Sequence, residues 1–200
     1  MFSGIVQAVG RIARVAPHGD GQRIVIDAGS LEAADVAIGE SIAVAGCCLT
    51  LVGIDAGALA FDVSAETLRC TVGLEPAREV NLERSLRLSD RIGGHLVSGH
   101  VDGVGVVARF EPVAAGEASH LLEIDAPAPL ARFIAAKGSI TVDGVSLTVN
   151  AVDGPRFAVN LIPHTLAVTT LGRLAVGARV NLEVDMLARY VERLLQRPVP

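Results

Sequence analysis

The sequence predicts an all-β protein: two similar closed barrels in tandem, followed by one amphipathic helix. Three observations predict it. Short Val- and Ile-rich runs are punctuated by Gly and Asp, with 21 glycines available for turns. The first half of the chain recurs in the second. Only the last stretch carries apolar residues at helical spacing.

The repeat is the strongest of the three. Gly39-Glu40-Ser41-Ile42-Ala43-Val44-Ala45-Gly46-Cys47-Cys48-Leu49-Thr50 returns as Lys137-Gly138-Ser139-Ile140-Thr141-Val142-Asp143-Gly144-Val145-Ser146-Leu147-Thr148. Thr67-Leu68 meets Thr165-Leu166, Val80-Asn81-Leu82-Glu83 meets Val180-Asn181-Leu182-Glu183, and Ser3-Gly4-Ile5-Val6 meets Ser98-Gly99-His100-Val101. The offset drifts in chain order, as small loop insertions produce. A copy of roughly 90 residues is too long for a solenoid unit and long enough for a small barrel. Closure of each sheet removes exposed strand edges.

Strands are expected over 23–27, 41–44, 49–54 and 59–63 in the first copy, and over 121–124, 140–142, 147–152 and 156–161 in the second. Asp55-Ala56-Gly57 and Asp153-Gly154-Pro155 read as turns between consecutive strands. Short helices follow over 64–69 and 163–167. The pattern breaks at Ser89-Asp90 and Gly93-Gly94, so the expected units are 1–94, 95–185 and a tail, 186–200. In that tail Leu187, Tyr190, Val191 and Leu194 form one apolar stripe, with Pro198 closing the helix. A two-turn stripe needs a partner surface, either the chain's own barrel or another subunit.

Composition narrows the function. Half of the residues are hydrophobic and 20% charged, enough for a packed core and unlike a disordered chain. A net charge of −5 without any basic run argues against nucleic acid. Lys137 is the only lysine among 17 basic residues, a ratio read as compositional bias. No apolar run reaches membrane-spanning length, and Met1-Phe2-Ser3-Gly4-Ile5-Val6 does not read as a signal peptide. Cys47, Cys48 and Cys70, odd in number and without a CxxC pair, argue against a disulfide framework or a zinc site. A reduced, cytoplasmic protein fits.

These residues also resemble those of the riboflavin synthase family. The resemblance rests on Met1-Phe2, Gly4-Ile5-Val6, Gly46-Cys47-Cys48-Leu49-Thr50, Glu66-Thr67-Leu68-Arg69 and Asn81-Leu82-Glu83-Arg84. It continues through Gly93-Gly94-His95-Leu96-Val97-Ser98-Gly99-His100-Val101-Asp102, the stretch from Lys137 to Thr148, Leu161-Ile162-Pro163-His164-Thr165-Leu166 and Asn181-Leu182-Glu183-Val184-Asp185. It covers essentially the whole chain. It implies six-stranded Greek-key barrels, each holding one lumazine, and a C-terminal helix that joins three chains. The productive site would lie between the N-terminal barrel of one subunit and the C-terminal barrel of its neighbour, with no metal or redox cofactor. The implied reaction moves a four-carbon unit between two molecules of 6,7-dimethyl-8-ribityllumazine. Two matched pockets suit two identical substrates, and holding them face to face can supply roughly 7–11 kcal/mol of the barrier.

Positions where the copies differ are candidates for chemistry. Cys48 falls on Ser146, Ala45 on Asp143, Ile5 on His100, and Ser85 on Asp185. His100 is the candidate proton carrier, or a rim histidine with a satisfied hydrogen bond. Ser146 and Cys48 are candidate nucleophiles or hydrogen-bonders, although a buried cysteine is often only a small hydrophobe. Asp143 and Asp185 could orient Ser146 or His100, or serve as turn and cap residues. Thr148 is a further candidate, although its equivalence to Thr50 suits ligand binding in both halves. Lys137 could meet developing negative charge or stand in solvent.

The resemblance places substrate-binding segments at Gly4-Ile5-Val6, Ser41, Cys48-Leu49-Thr50 and Asp62-Val63-Ser64-Ala65-Glu66-Thr67 for the N-terminal barrel. For the C-terminal barrel they are Gly99-His100-Val101, Lys137, Ser146-Leu147-Thr148 and Leu161-Ile162-Pro163-His164-Thr165-Leu166. The family commonly carries Asn where this chain has Ala45. Gly93-Gly94-His95 reads as a linker of defined backbone. The competing functions are a non-catalytic lumazine- or flavin-carrying antenna protein of the same fold, and a purely structural barrel subunit. Polar residues kept in both halves favour the enzyme. Which barrel holds the donor, and whether the nucleophile is a side chain or water, stay open.

Overall fold

A computed structural model describes residues 1–31, 35–114 and 118–196 of the 200-residue chain. The first six strands are β1 (Ala8–His18), β2 (Gly21–Asp27), β3 (Ser41–Val44), β4 (Cys47–Asp55), β5 (Ala58–Val63) and β6 (Glu79–Arg84). They close into an antiparallel barrel in the order β1-β2-β5-β4-β3-β6. The next six are β7 (Gly103–Pro112), β8 (His120–Asp125), β9 (Ser139–Val142), β10 (Val145–Asp153), β11 (Arg156–Leu161) and β12 (Arg179–Val184), and they close in the equivalent order. Helix α1 (Ala65–Cys70) follows β5, α2 (Pro163–Val168) follows β11, and α3 (Met186–Leu195) follows β12. Among the described residues no helix is long and apolar enough to cross a membrane.

The duplication reaches local irregularities. The pairing of β1 with β2 slips between Ile12 and Arg14, and that of β7 with β8 between Val107 and Arg109. The β4–β5 ladder slips between Leu51 and Gly53, and β10–β11 between Val149 and Ala151. Each pair sits at equivalent repeat positions. Such bulges sharpen the twist that a small barrel needs to close.

Each barrel fills its own core. Ile12, Ile24, Leu51 and Phe61 are fully buried in the first, Leu122, Ile124, Phe157 and Val159 in the second. On β4 the odd residues Cys47, Leu49 and Leu51 face inward while Cys48 and Thr50 face out, and β10 repeats this with Val145, Leu147 and Val149 against Ser146 and Thr148. Burial pushes the Cys47 thiol up to about 12, so it behaves as core.

The barrels meet along a polar seam. Strands β6 and β12 bury both faces, one on the core and one on the neighbouring barrel, which is why they carry buried Asn81, Glu83, Asn181 and Glu183. The Asn81 amide donates to the Asp143 carbonyl at 2.9 Å and accepts the Thr170 N–H at 2.8 Å. The Asn181 amide donates to the Ala45 carbonyl at 2.9 Å and accepts the Val72 N–H at 2.9 Å. Both buried amides find their partners in the other copy, as burial demands.

Helix α3 starts at Asp185, whose carboxylate accepts the Leu187 N–H at 2.9 Å. None of its residues is buried, and Leu187, Tyr190, Val191 and Leu194 are all exposed. The helix touches its own chain through charges, including Arg132–Glu192 at 2.9 Å. The stripe therefore faces away from its own barrel. Pro198 lies outside the described residues.

Candidate functional site

Strand β4 pairs with β5 only from Leu51 onward, so its first residues have one edge without a neighbouring strand. A segment of the other copy satisfies that edge: the Cys48 N–H donates to the Gly99 carbonyl at 2.8 Å. Strand β10 likewise pairs with β11 only from Val149, and the Ser146 N–H donates to the Gly4 carbonyl at 2.8 Å. Val101 packs against the first core and Val6 against the second. The opening segment of each copy therefore serves the other copy's barrel. This corrects the expected assignment: Gly4-Ile5-Val6 belong with the C-terminal cradle and Gly99-His100-Val101 with the N-terminal one.

The exchange is held by two buried carboxylates. Glu83 accepts the Ser3 N–H and Oγ–H, both at 2.7 Å, and the Gly4 N–H at 3.0 Å. Glu183 accepts the Ser98 N–H at 2.7 Å and the Gly99 N–H at 2.9 Å. Burial pushes both carboxyls above the usual range, and these donors pull them back. Phe2 and Val97 pair across the crossing and are buried together. Gly4 and Gly99 have φ of +75° and +78°, and a Cβ on either would stand 2.6 Å from the Cβ of Ser146 or Cys48. Only glycine fits there.

In each copy two further segments complete the candidate cradle. In the first, Ser41 stands opposite Thr50 on the β3–β4 ladder, beside Cys48. The end of β5 and the start of α1 bring Asp62, Ser64, Ala65, Glu66 and Thr67. Asp62 is held by Arg23 at 2.7 Å, Ser64 caps α1 by accepting the Thr67 N–H, and Glu66 pairs with Arg69. Val63 and Leu49 point into the core rather than outward. In the second cradle Ser139 stands opposite Thr148, beside Ser146. Ile162, Pro163 and His164 are exposed at the start of α2. Leu147 and Leu161 are core, Leu166 packs against the core, and the Thr165 carbonyl accepts the Thr169 hydroxyl.

The catalytic candidates divide. Ser146 Oγ lies 2.7 Å from Nδ1 of His95, a half-buried histidine. Burial lowers the pKa of His95, partly offset by Asp185 nearby, so the imidazole is neutral near pH 7. His100, by contrast, is exposed, and Ser146 pairs with the other histidine. Asp143 Oδ1 accepts the Asn181 N–H at 2.8 Å in the β9–β10 turn, and burial raises its pKa to about 7. It orients neither Ser146 nor His100 by a hydrogen bond. Lys137 is exposed with φ of +66°, in the conformation its repeat partner Gly39 adopts at +93°.

The sequence reads His95 as part of a linker, whereas the structure brings its ring to Ser146. Asn81 and Asn181 were overlooked although the repeat displays them. Among the described residues no group of His, Cys, Asp and Glu is placed to hold a metal ion.

Comparison with known proteins agrees with this architecture. The family model described as "Lumazine binding domain" matches twice, at residues 3–85 and 98–185. The riboflavin synthase of Mycobacterium bovis is 47% identical over 98% of this chain and 98% of its own length. That of Photobacterium phosphoreum is 45% identical over 98% of this chain and 89% of its own. A crystal structure of LumP complexed with 6,7-dimethyl-8-(1'-D-ribityl) lumazine superposes with a TM-score of 0.81 at 28% identity, covering 92% of this chain and 99% of the other. With two matched lumazine-binding domains and full-length similarity to these enzymes, the chain belongs to the riboflavin synthase family.

Proposed function

We propose that the protein converts two molecules of 6,7-dimethyl-8-ribityllumazine into riboflavin and 5-amino-6-(ribitylamino)uracil by transfer of a four-carbon unit. The observation that carries this reading is the pair of equivalent but chemically unequal cradles. Both have the same backbone walls, yet one presents Cys48 and the other Ser146 hydrogen-bonded to His95. Equal walls suit identical heterocycles, and unequal side chains suit different fates for them.

Backbone N–H and C=O groups and the Thr50 and Thr148 hydroxyls bind the ring edges. The His95–Ser146 pair holds or moves a proton at Ser146 Oγ, beside one ring, while the 7-methyl group gives up its proton. Cys48 contacts the other ring. The chain functions as a homotrimer through the exposed stripe of α3. One subunit's N-terminal cradle faces a neighbour's C-terminal cradle, which brings the two rings together. Residues 1–94, 95–185 and 186–200 are its units. Three free cysteines support a reduced, cytoplasmic setting.

Incubation of the purified protein with the lumazine tests the reading. Flavin fluorescence is expected to grow with time, with release of the aminouracil in equal amount. An antenna-type carrier would hold its blue emitter unchanged, and that result would replace the enzyme by the carrier.

A further inference from the structure

The two crossing segments are closed differently at their far ends. Gln7 follows the first, and its side-chain oxygen accepts the Arg84 N–H at 2.9 Å. Asp102 occupies the equivalent place after the second, and its Oδ2 accepts the Val184 N–H at 2.8 Å. The neutral amide has become a carboxylate, and α3 grips it. Arg189 Nη1 meets Asp102 Oδ1 at 2.6 Å, and Nη2 meets Oδ2 at 2.7 Å. Nη2 also donates to the His100 carbonyl at 3.2 Å.

The Asp102 side chain is only 12% exposed and that of Arg189 36%, so this two-pronged pair is less screened than a surface pair. Together Glu183 and Arg189 pin both ends of the segment that covers the start of β4. The segment over β10 is held by Glu83 and Gln7, side chains of the first copy, and among the described residues no hydrogen bond joins it to α3.

We propose that Arg189 is a positioning residue that ties the first cradle, and not the second, to the C-terminal helix. By holding Asp102 and the His100 carbonyl, it fixes Gly99 against Cys48. Whatever α3 packs on then governs the order of the N-terminal cradle, while the C-terminal cradle is independent of the helix. The functional half of this inference rests on the lumazine reading above; the mechanical half does not.

Two measurements on the full-length protein separate those halves. In ligand-free protein, Arg189→Gln is expected to cut the exchange protection of the Cys48 amide about 10-fold while leaving the Ser146 amide unchanged. In titrations with 6,7-dimethyl-8-ribityllumazine followed by amide resonances, the site reported by Thr50 is expected to weaken about 10-fold, and that reported by Thr148 to hold. Arg189→Lys should restore part of both effects, since it keeps the charge without the fork. Asp102→Asn, which retains an acceptor for Val184, should reproduce the selective loss if the arginine variant proves unstable. Equal loss at both cradles, or at neither, overturns the proposal. If exchange responds selectively but neither cradle of the parent binds the lumazine, the clamp stands and the lumazine reading fails.

Discussion

His95 Nδ1 and Ser146 Oγ lie 2.7 Å apart, joining the stretch between the barrels to the outer face of β10. Among the described residues Cys48, the repeat counterpart of Ser146, has no histidine hydrogen-bonded to it. The two copies therefore differ at this position in hydrogen bonding as well as in side chain.

Removing either member should slow turnover. Ser146→Ala and His95→Ala are each expected to lower kcat by about 10²-fold or more, the usual range for a proton-transfer group. His100→Ala, at an exposed position, should lower it less. Initial rates of flavin formation measure all three, and parental rates for both Ser146→Ala and His95→Ala would remove the pair from the chemistry.

The acid limb of the rate profile should belong to His95. Burial holds its pKa below the ordinary 6.5, so the neutral ring persists to lower pH. As pH falls through that depressed value, the ring takes a proton and Nδ1 can no longer accept from Ser146. A kcat/KM profile is expected to fall with a midpoint below 6.5, and His95→Gln should abolish the limb.

The exchange of segments makes a crossed prediction. Glu83 lies on β6 of the first barrel but holds the segment against Ser146; Glu183 lies on β12 and holds the one against Cys48. Glu83→Ala should weaken ligand binding at the Thr148 site, and Glu183→Ala at the Thr50 site. Each should also cost about 2–4 kcal/mol, since several buried donors lose a charged acceptor. Urea midpoints and site-resolved titration read the two effects, and loss confined to the barrel that carries the glutamate would refute the crossing.

Asp143 should make stability depend on pH. Its pKa of about 7 when folded lies above the ordinary 3.8. Between those values the folded chain keeps a proton that the unfolded chain has released, so stability falls as pH rises toward 7. Asp143→Asn removes this cost while keeping an acceptor for the Asn181 N–H. The variant is expected to match the parent near pH 4 and to exceed it by on the order of 2–4 kcal/mol at pH 8. Equal urea midpoints at pH 8 would contradict this.

Ala45 holds φ at +46°, the left-handed region that Asn tolerates better than Ala. In the second copy Asp143 takes that role, at φ of +47°. Ala45→Asn should raise stability by about 0.5–1 kcal/mol, read as a shift in thermal midpoint. An unchanged or lower midpoint would mean that the buried seam around residue 45 has no room for the amide.

Much of the fold was legible because alternation and turns are local. The expected strands over 41–44, 59–63 and 156–161 differ from β3, β5 and β11 by at most one residue, and the helix stripe at Leu187, Tyr190, Val191 and Leu194 is α3. Strands β6 and β12 escaped assignment because Asn81, Glu83, Asn181 and Glu183 break the apolar run. Their polarity has a reason only once a second barrel covers their outer faces. Strands β1 and β7 were missed where Gly10, Pro17, Gly103 and Gly105 dilute the pattern.

By itself the sequence determined that a barrel was doubled, which residues correspond, and where the copies differ, since each of these is recorded in order along the chain. The tertiary structure alone decided which barrel each opening segment serves and which histidine meets Ser146. The starts of β4 and β10 present the same unpaired N–H, and the carbonyls of Gly4 and Gly99 are the same acceptor. Order along the chain cannot choose between two such pairings; the distances in space do.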